Sequence, residues 1–79
     1  MTLAELSPNC GAKISEANLP WEVRKHLMEM GILPGAEIKL IGKNPFGKVF
    51  LFQVEDTHVA ISQKIARAIK IEYLKREDQ

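Results

Sequence analysis

Asn18-Leu19-Pro20-Trp21-Glu22-Val23-Arg24-Lys25-His26-Leu27-Met28-Glu29-Met30-Gly31-Ile32-Leu33-Pro34-Gly35 is the stretch whose reading decides the fold. Leu19, Val23, Leu27 and Met30 recur at spacings of four, four and three. At about 100° per residue they share one stripe, the pattern of a helix that buries one face. Asn18 is a candidate N-cap, and Pro20 stands at the start, where a missing N–H costs nothing. Gly31 supplies a left-handed residue after the last turn, and Pro34 prevents continuation. Pro34-Gly35 is turn chemistry that sends the chain straight into the next segment.

Outward from this helix the apolar period changes to two. Ala12 to Ala17 alternates weakly and predicts a first strand. Ala36-Glu37-Ile38-Lys39-Leu40 alternates cleanly, and Gly42 to Gly47 reads as a connecting loop. Lys48 to Val54 is rich in Val and Phe, Glu55-Asp56-Thr57 is a tight reversal, and His58 to Ile61 is a short strand. Ser62 can cap a helical turn through Arg67, and Ala68 to Leu74 forms the last strand. Before all of these, Leu3-Ala4-Glu5-Leu6 is one helical turn or a strap over the core, followed by turn residues from Ser7 to Gly11. One helix and five short strands predict a mainly β fold, a small antiparallel barrel whose closure removes exposed sheet edges.

The 79 residues suit one domain, 1–79, with the wholly polar 75–79 expected to fray. Eleven Lys+Arg against ten Asp+Glu leave a formal charge of +1, without the basic excess of a duplex-DNA binder. The longest apolar run, Val49-Phe50-Leu51-Phe52, is far below the ~20 residues that span a bilayer, so no membrane insertion is expected. A basic n-region and a long apolar h-region are both missing at the N-terminus, so no signal peptide is expected. Cys10 is the single cysteine, which excludes an internal disulfide and a cysteine-built zinc site and fits a reducing cytoplasm.

Val23-Arg24-Lys25-His26-Leu27-Met28-Glu29-Met30-Gly31-Ile32-Leu33-Pro34-Gly35 resembles the R-x-x-L-x-x-M/L-G-hydrophobic-x-P-G segment of the FeoA family. That family comprises ferrous iron transport protein A and the related domains at the C-terminus of metal-dependent repressors. Asn44-Pro45-Phe46-Gly47 resembles its A-P-L-G loop, His58 to Ile61 its apolar strand, and Ile65 to Ile71 its closing helical turn and strand. Lys48-Val49 stand where the family often has Asp-Pro, and Ser62 where it often has Arg. The resemblance implies an SH3-like barrel with one inserted helix after the first strand and a short C-terminal helical turn. It also implies a cytoplasmic accessory or regulatory role in ferrous iron uptake, through contact with the GTP-binding part of the membrane transporter FeoB. The alternatives are a metal-responsive module sensing Fe(II) or Mn(II), and an RNA-binding barrel.

An enzyme is not expected. The single Cys, the two His and the few Ser sit in no catalytic motif, and no glycine-rich loop opens a helix to cradle phosphate. Cys10 reads as a structural or incidental thiol. Glu22, His26 and Glu29, at i, i+4 and i+7, form the best local metal cluster, of ligand types that suit Fe(II), Mn(II) or Zn(II). The competing reading is a solvated helix flank in which Glu22 pairs with Lys25 or His26. No cofactor is required, and weak binding of Fe(II) or another divalent transition metal is the most this set implies. His58 is a weaker ligand candidate. Phe50 and Phe52 share a strand face and could stack bases, but core is the simpler reading, so no nucleic-acid partner is expected.

Protein contact has the better support. Trp21 and Met28 lie seven residues apart and point away from the Leu19/Val23/Leu27/Met30 stripe, flanked by Arg24 and Lys25. This face either docks a partner or a second copy, or is covered by the Leu3–Leu6 strap. With the family loop, the candidate contact residues are Trp21, Arg24, Lys25, Met28, Asn44, Pro45, Phe46, Gly47 and Lys48.

Overall fold

The computed structural model describes residues 1–44, 46 and 48–74. The expected fraying of 75–79 and the site candidates Pro45 and Gly47 lie outside the described residues. A 3-10 turn, Leu3–Glu5, precedes β1 (Gly11–Ala17), α1 (Trp21–Glu29), β2 (Glu37–Asn44), β3 (Val49–Val54), β4 (Thr57–Ser62), α2 (Gln63–Ala66) and β5 (Ile69–Tyr73). The strands form one sheet in the order β4-β3-β2-β1-β5, with every neighbouring pair antiparallel. The mainly β expectation therefore holds, but among the described residues β4 and β5 do not pair with each other, so closure does not remove the sheet edges as expected. β4 and β5 are the outer strands, and α2 carries the chain from one to the other.

The alternation along each strand decides what is buried. Ala12 and Ile14 of β1, Ile38 and Leu40 of β2, and Phe50, Phe52 and Val54 of β3 all point inward. Val59 and Ile61 of β4 and Ile69 and Ile71 of β5 complete the sheet's share of the core. Phe50 and Phe52 meet edge to face at 6.3 Å, so both rings serve packing and neither is free to stack a base. The strap closes this core from the side: Leu3 and Leu6 are 0% exposed. Its 3-10 turn packs against β5 and α2.

Two boundaries differ from expectation. β2 runs on through Gly42-Lys43-Asn44, which the sequence pattern assigns to a loop. A bulge between Leu40 and Gly42 inserts Ile41 and reverses the inward-outward phase, so the strand continues while its alternation breaks. Asn18 is not the helix cap. Pro20 occupies that position with no side-chain hydrogen bond, while the Asn18 N–H donates to the Ala68 carbonyl at 2.9 Å. Asn18 thus ties the β1–α1 connection to the segment before β5.

The end of α1 follows the sequence reading closely. Gly31 takes φ +90°, its N–H donates to the Met28 carbonyl at 3.0 Å, and the Ile32 N–H donates to that of Leu27 at 2.9 Å. These two bonds form a Schellman close, with buried Leu27 and Ile32 as its apolar pair. Gly35, at φ +92°, turns the chain so that its N–H reaches the Ile14 carbonyl at 2.8 Å, and β2 then starts beside β1. Ser62 caps α2 as its position predicts, its Oγ accepting from the Ile65 N–H at 3.2 Å.

Candidate functional site

α1 sits at the margin of the core. Leu27 is buried, while Leu19, Val23 and Met30 pack half-buried against the core cluster. The opposite face is open: Trp21 is 58% exposed and Met28 45% exposed. The strap does not cover them, because Leu3 and Leu6 are spent inside the core beside β5 and α2. The choice left open by the pattern is thus resolved toward a surface face.

The face is organised by Arg24. Its guanidinium lies 5.6 Å from the centre of the Trp21 ring, a cation–π distance. Arg24 and Met28 also line a groove of about 220 Å³ between β1, α1 and the turn after α1. Ala17, Ile32, Leu33 and Pro34 supply apolar walls, and Glu16 an acidic one. Glu16 is held by its cross-strand partner, Lys70 Nζ lying 3.7 Å from Glu16 Oε1. The result is an apolar slot with a cation on one wall, next to an exposed indole. Lys25 is exposed on the same helix but does not line the groove.

Leu33, Pro34 and Ala17 were not among the sequence candidates. The slot joins three separate segments, so no local spacing announces it. The available signal was Ile32-Leu33 directly after the helix stop, of which one side chain is buried and the other exposed.

The loop candidates stand apart from the groove. Asn44 Oδ1 accepts from the Phe46 N–H at 2.9 Å, an Asx-type turn that sets Phe46 at the tip with 96% of its surface exposed. Lys48 is exposed at φ +51° and its carbonyl accepts from the Gln63 N–H at 2.8 Å. None of Asn44, Phe46 and Lys48 lines the slot.

The metal candidates do not gather. His26 Nδ1 and Glu29 Oε1 are 3.6 Å apart on the solvated flank of α1. Among the described residues no three His, Cys, Asp or Glu side chains form a group able to hold a metal ion, and Glu22, His26 and Glu29 are no exception. His58 is exposed on β4, and Cys10 is half-buried against the core.

A five-stranded antiparallel sheet with one inserted helix, presenting an apolar slot and a tip aromatic, defines a small SH3-like domain. The chain belongs to the FeoA family: the FeoA domain model matches residues 1–73. The FeoA protein of Chlorobium tepidum superposes with a TM-score of 0.89 at 24% identity, over 95% of this chain and 71% of that one. The zinc complex of Stenotrophomonas maltophilia FeoA, described as a prokaryotic SH3 domain protein, matches with a TM-score of 0.75 at 29% identity, over 91% and 89% of the two chains. ScaR with bound zinc shares the fold at 20% identity and a TM-score of 0.82, the match spanning 94% of this chain but 37% of ScaR. No curated protein matches the sequence significantly. The S. maltophilia protein is put forward as a bacterial ferrous iron transport activating factor. No helix among the described residues is long and apolar enough to cross a membrane.

Proposed function

We propose that this chain is a non-catalytic accessory protein of ferrous iron uptake, acting in the cytoplasm by docking the outer face of α1 on the GTP-binding part of the membrane transporter FeoB. The observation that carries the reading is the uncovered Trp21–Arg24–Met28 face beside an apolar slot. Arg24 and Met28 line the slot and Trp21 stacks beside Arg24, and Trp, Arg and Met are residue types enriched at interfaces. Burying an exposed apolar side chain gains about 1.5–3 kcal/mol, which Trp21 and Met28 can supply without rearranging the core. Arg24 and Lys25 then favour an acidic rim on the partner. Phe46 offers a second, smaller anchor at the loop tip.

The S. maltophilia relative was crystallised with zinc and is put forward as a ferrous iron transport activating factor, which supports an activating rather than a sensing role. The His26–Glu29 pair offers two ligands, enough for weak surface association with Fe(II) or Zn(II). Capture from a cytoplasm-plus-membrane extract tests the reading. The bait should retain a GTP-binding membrane transporter, and Trp21→Ala with Met28→Ala should lose it at unchanged melting temperature. Recovery of ribosomes or RNA instead contradicts the proposal.

A further inference from the structure

The two outer strands of the sheet are finished differently. β5 is covered by the start of the chain: the Ile71 N–H donates to the Met1 carbonyl at 3.0 Å, and Thr2 bridges antiparallel to Lys70. β4 has no such cover, and among the described residues no backbone group outside its own ladder bonds to His58 or Ala60. The hairpin says which groups are open. Val54 and Thr57 close a two-residue loop as a hydrogen-bonded pair, and the Gln63 N–H on the Lys48 carbonyl, at 2.8 Å, keeps the same phase at the far end. Thr57, Val59 and Ile61 therefore turn their backbone groups toward β3. His58 and Ala60 turn theirs outward, as does the Ser62 N–H.

Exposed edges are normally guarded by a charge, a proline or a bulge. Thr57-His58-Val59-Ala60-Ile61-Ser62 has no Lys, Arg, Asp, Glu or Pro, and its pairing with β3 runs without a register shift. Its two ends carry opposite charge. Glu55 and Asp56 are exposed at the start, while Lys48, Lys64 and Arg67 surround one hollow at the finish. A strand acidic at one end and basic at the other complements a second copy laid antiparallel, whereas a parallel neighbour would set acid on acid.

We propose that β4 is a self-pairing edge, joining two copies of this chain antiparallel about a two-fold axis at Ala60. In that register His58 faces Ser62 of the partner subunit, and the Asp56 end meets the Lys64 end twice by symmetry. About four backbone hydrogen bonds form across the axis. A strip this narrow falls below the roughly 1,200–2,000 Å² of a stable interface, so the dimer forms at high protein concentration.

Sedimentation and light scattering on the full chain test this. Wild type should rise from its 8.9 kDa monomer mass toward twice that value as concentration increases, and less so in high salt. Asp56→Lys and Lys64→Asp should each weaken association roughly tenfold, because two attractive pairs become repulsive. Mixing the two variants restores both pairs and should return a heterodimer of wild-type strength. Ala60→Lys, on the exposed side of the strand, should abolish pairing; should that variant fail to fold, the mixing experiment decides alone. A wild type that stays monomeric at about 1 mM, the upper end of the accessible range, overturns the proposal. A dimer indifferent to these changes does the same, as does protection of the His58 and Ala60 amides that appears only when another protein is added.

Discussion

Two apolar pairs near the start of the chain have similar sequence character and opposite fates. Leu3 and Leu6 stand three apart, close over β5 and α2, and vanish into the core. Trp21 and Met28 stand seven apart on the outer face of α1 and stay largely in solvent. Both pairs are hydrophobic, so composition cannot separate them. What separates them is that the core is already filled from the α1 side by Leu27 and its half-buried neighbours. The strap supplies the one remaining wall. Hydrophobicity in the first pair is structure; in the second it is available for binding.

Truncating each pair tests that division, and the largest effect belongs to the strap. Leu6→Ala should cost about 2–5 kcal/mol in denaturant unfolding, since a fully buried leucine leaves a cavity. Trp21→Ala should stay within about 0.5 kcal/mol of wild type, as surface substitutions do. A comparable loss from both would erase the distinction. Gly31→Ala comes next, at about 1–3 kcal/mol, because it combines φ +90° with a new Cβ 3.3 Å from Val54 Cγ1. It should disturb the seat of α1 while leaving exchange protection of the strap amides intact.

Ser62→Ala should cost about 1 kcal/mol by removing the acceptor for the Ile65 N–H in α2, the element on which the strap rests. The smallest effect concerns Glu5. Its Oε1 accepts from the Thr2 N–H at 2.8 Å and from the Thr2 hydroxyl at 3.2 Å, and these bonds hold its carboxyl below the ordinary value. A lowered folded value means that the contribution is complete above the ordinary carboxylate value and is lost as pH falls through the folded one. Exchange of the Thr2 and Ile71 amides should therefore speed up in acid beyond the intrinsic pH trend. Glu5→Gln should remove that excess.

Much of the fold is legible in the residues. The i, i+4, i+8, i+11 stripe gives α1, Gly31 and Pro34-Gly35 give its end, and Ser62 gives α2 because capping and turn chemistry act over a few residues. The end of β2 is not legible, since the bulge at Ile41 breaks the alternation that marks a strand. Asn18 misleads for a similar reason: the residue type suits a cap, but its backbone is engaged by Ala68, distant in sequence. Of the candidate site, Trp21, Arg24 and Met28 follow from helical spacing. The slot they border does not, because Ala17, Leu33 and Pro34 reach it only through the β1–β2 pairing and the turn after α1. The metal cluster shows the limit of spacing alone, for residues on one flank of a helix need not converge on a point.

Trp21 is the only tryptophan in the chain, so it reports on the central claim directly. With 5-fluorotryptophan at this position, the fluorine resonance can be followed while the GTP-binding part of the iron transporter is added. Docking through α1 predicts a saturable shift and broadening of that resonance, lost in parallel with binding when Met28→Ala and Arg24→Ala are introduced. A resonance that stays put while the two proteins bind elsewhere, or do not bind at all, contradicts the account.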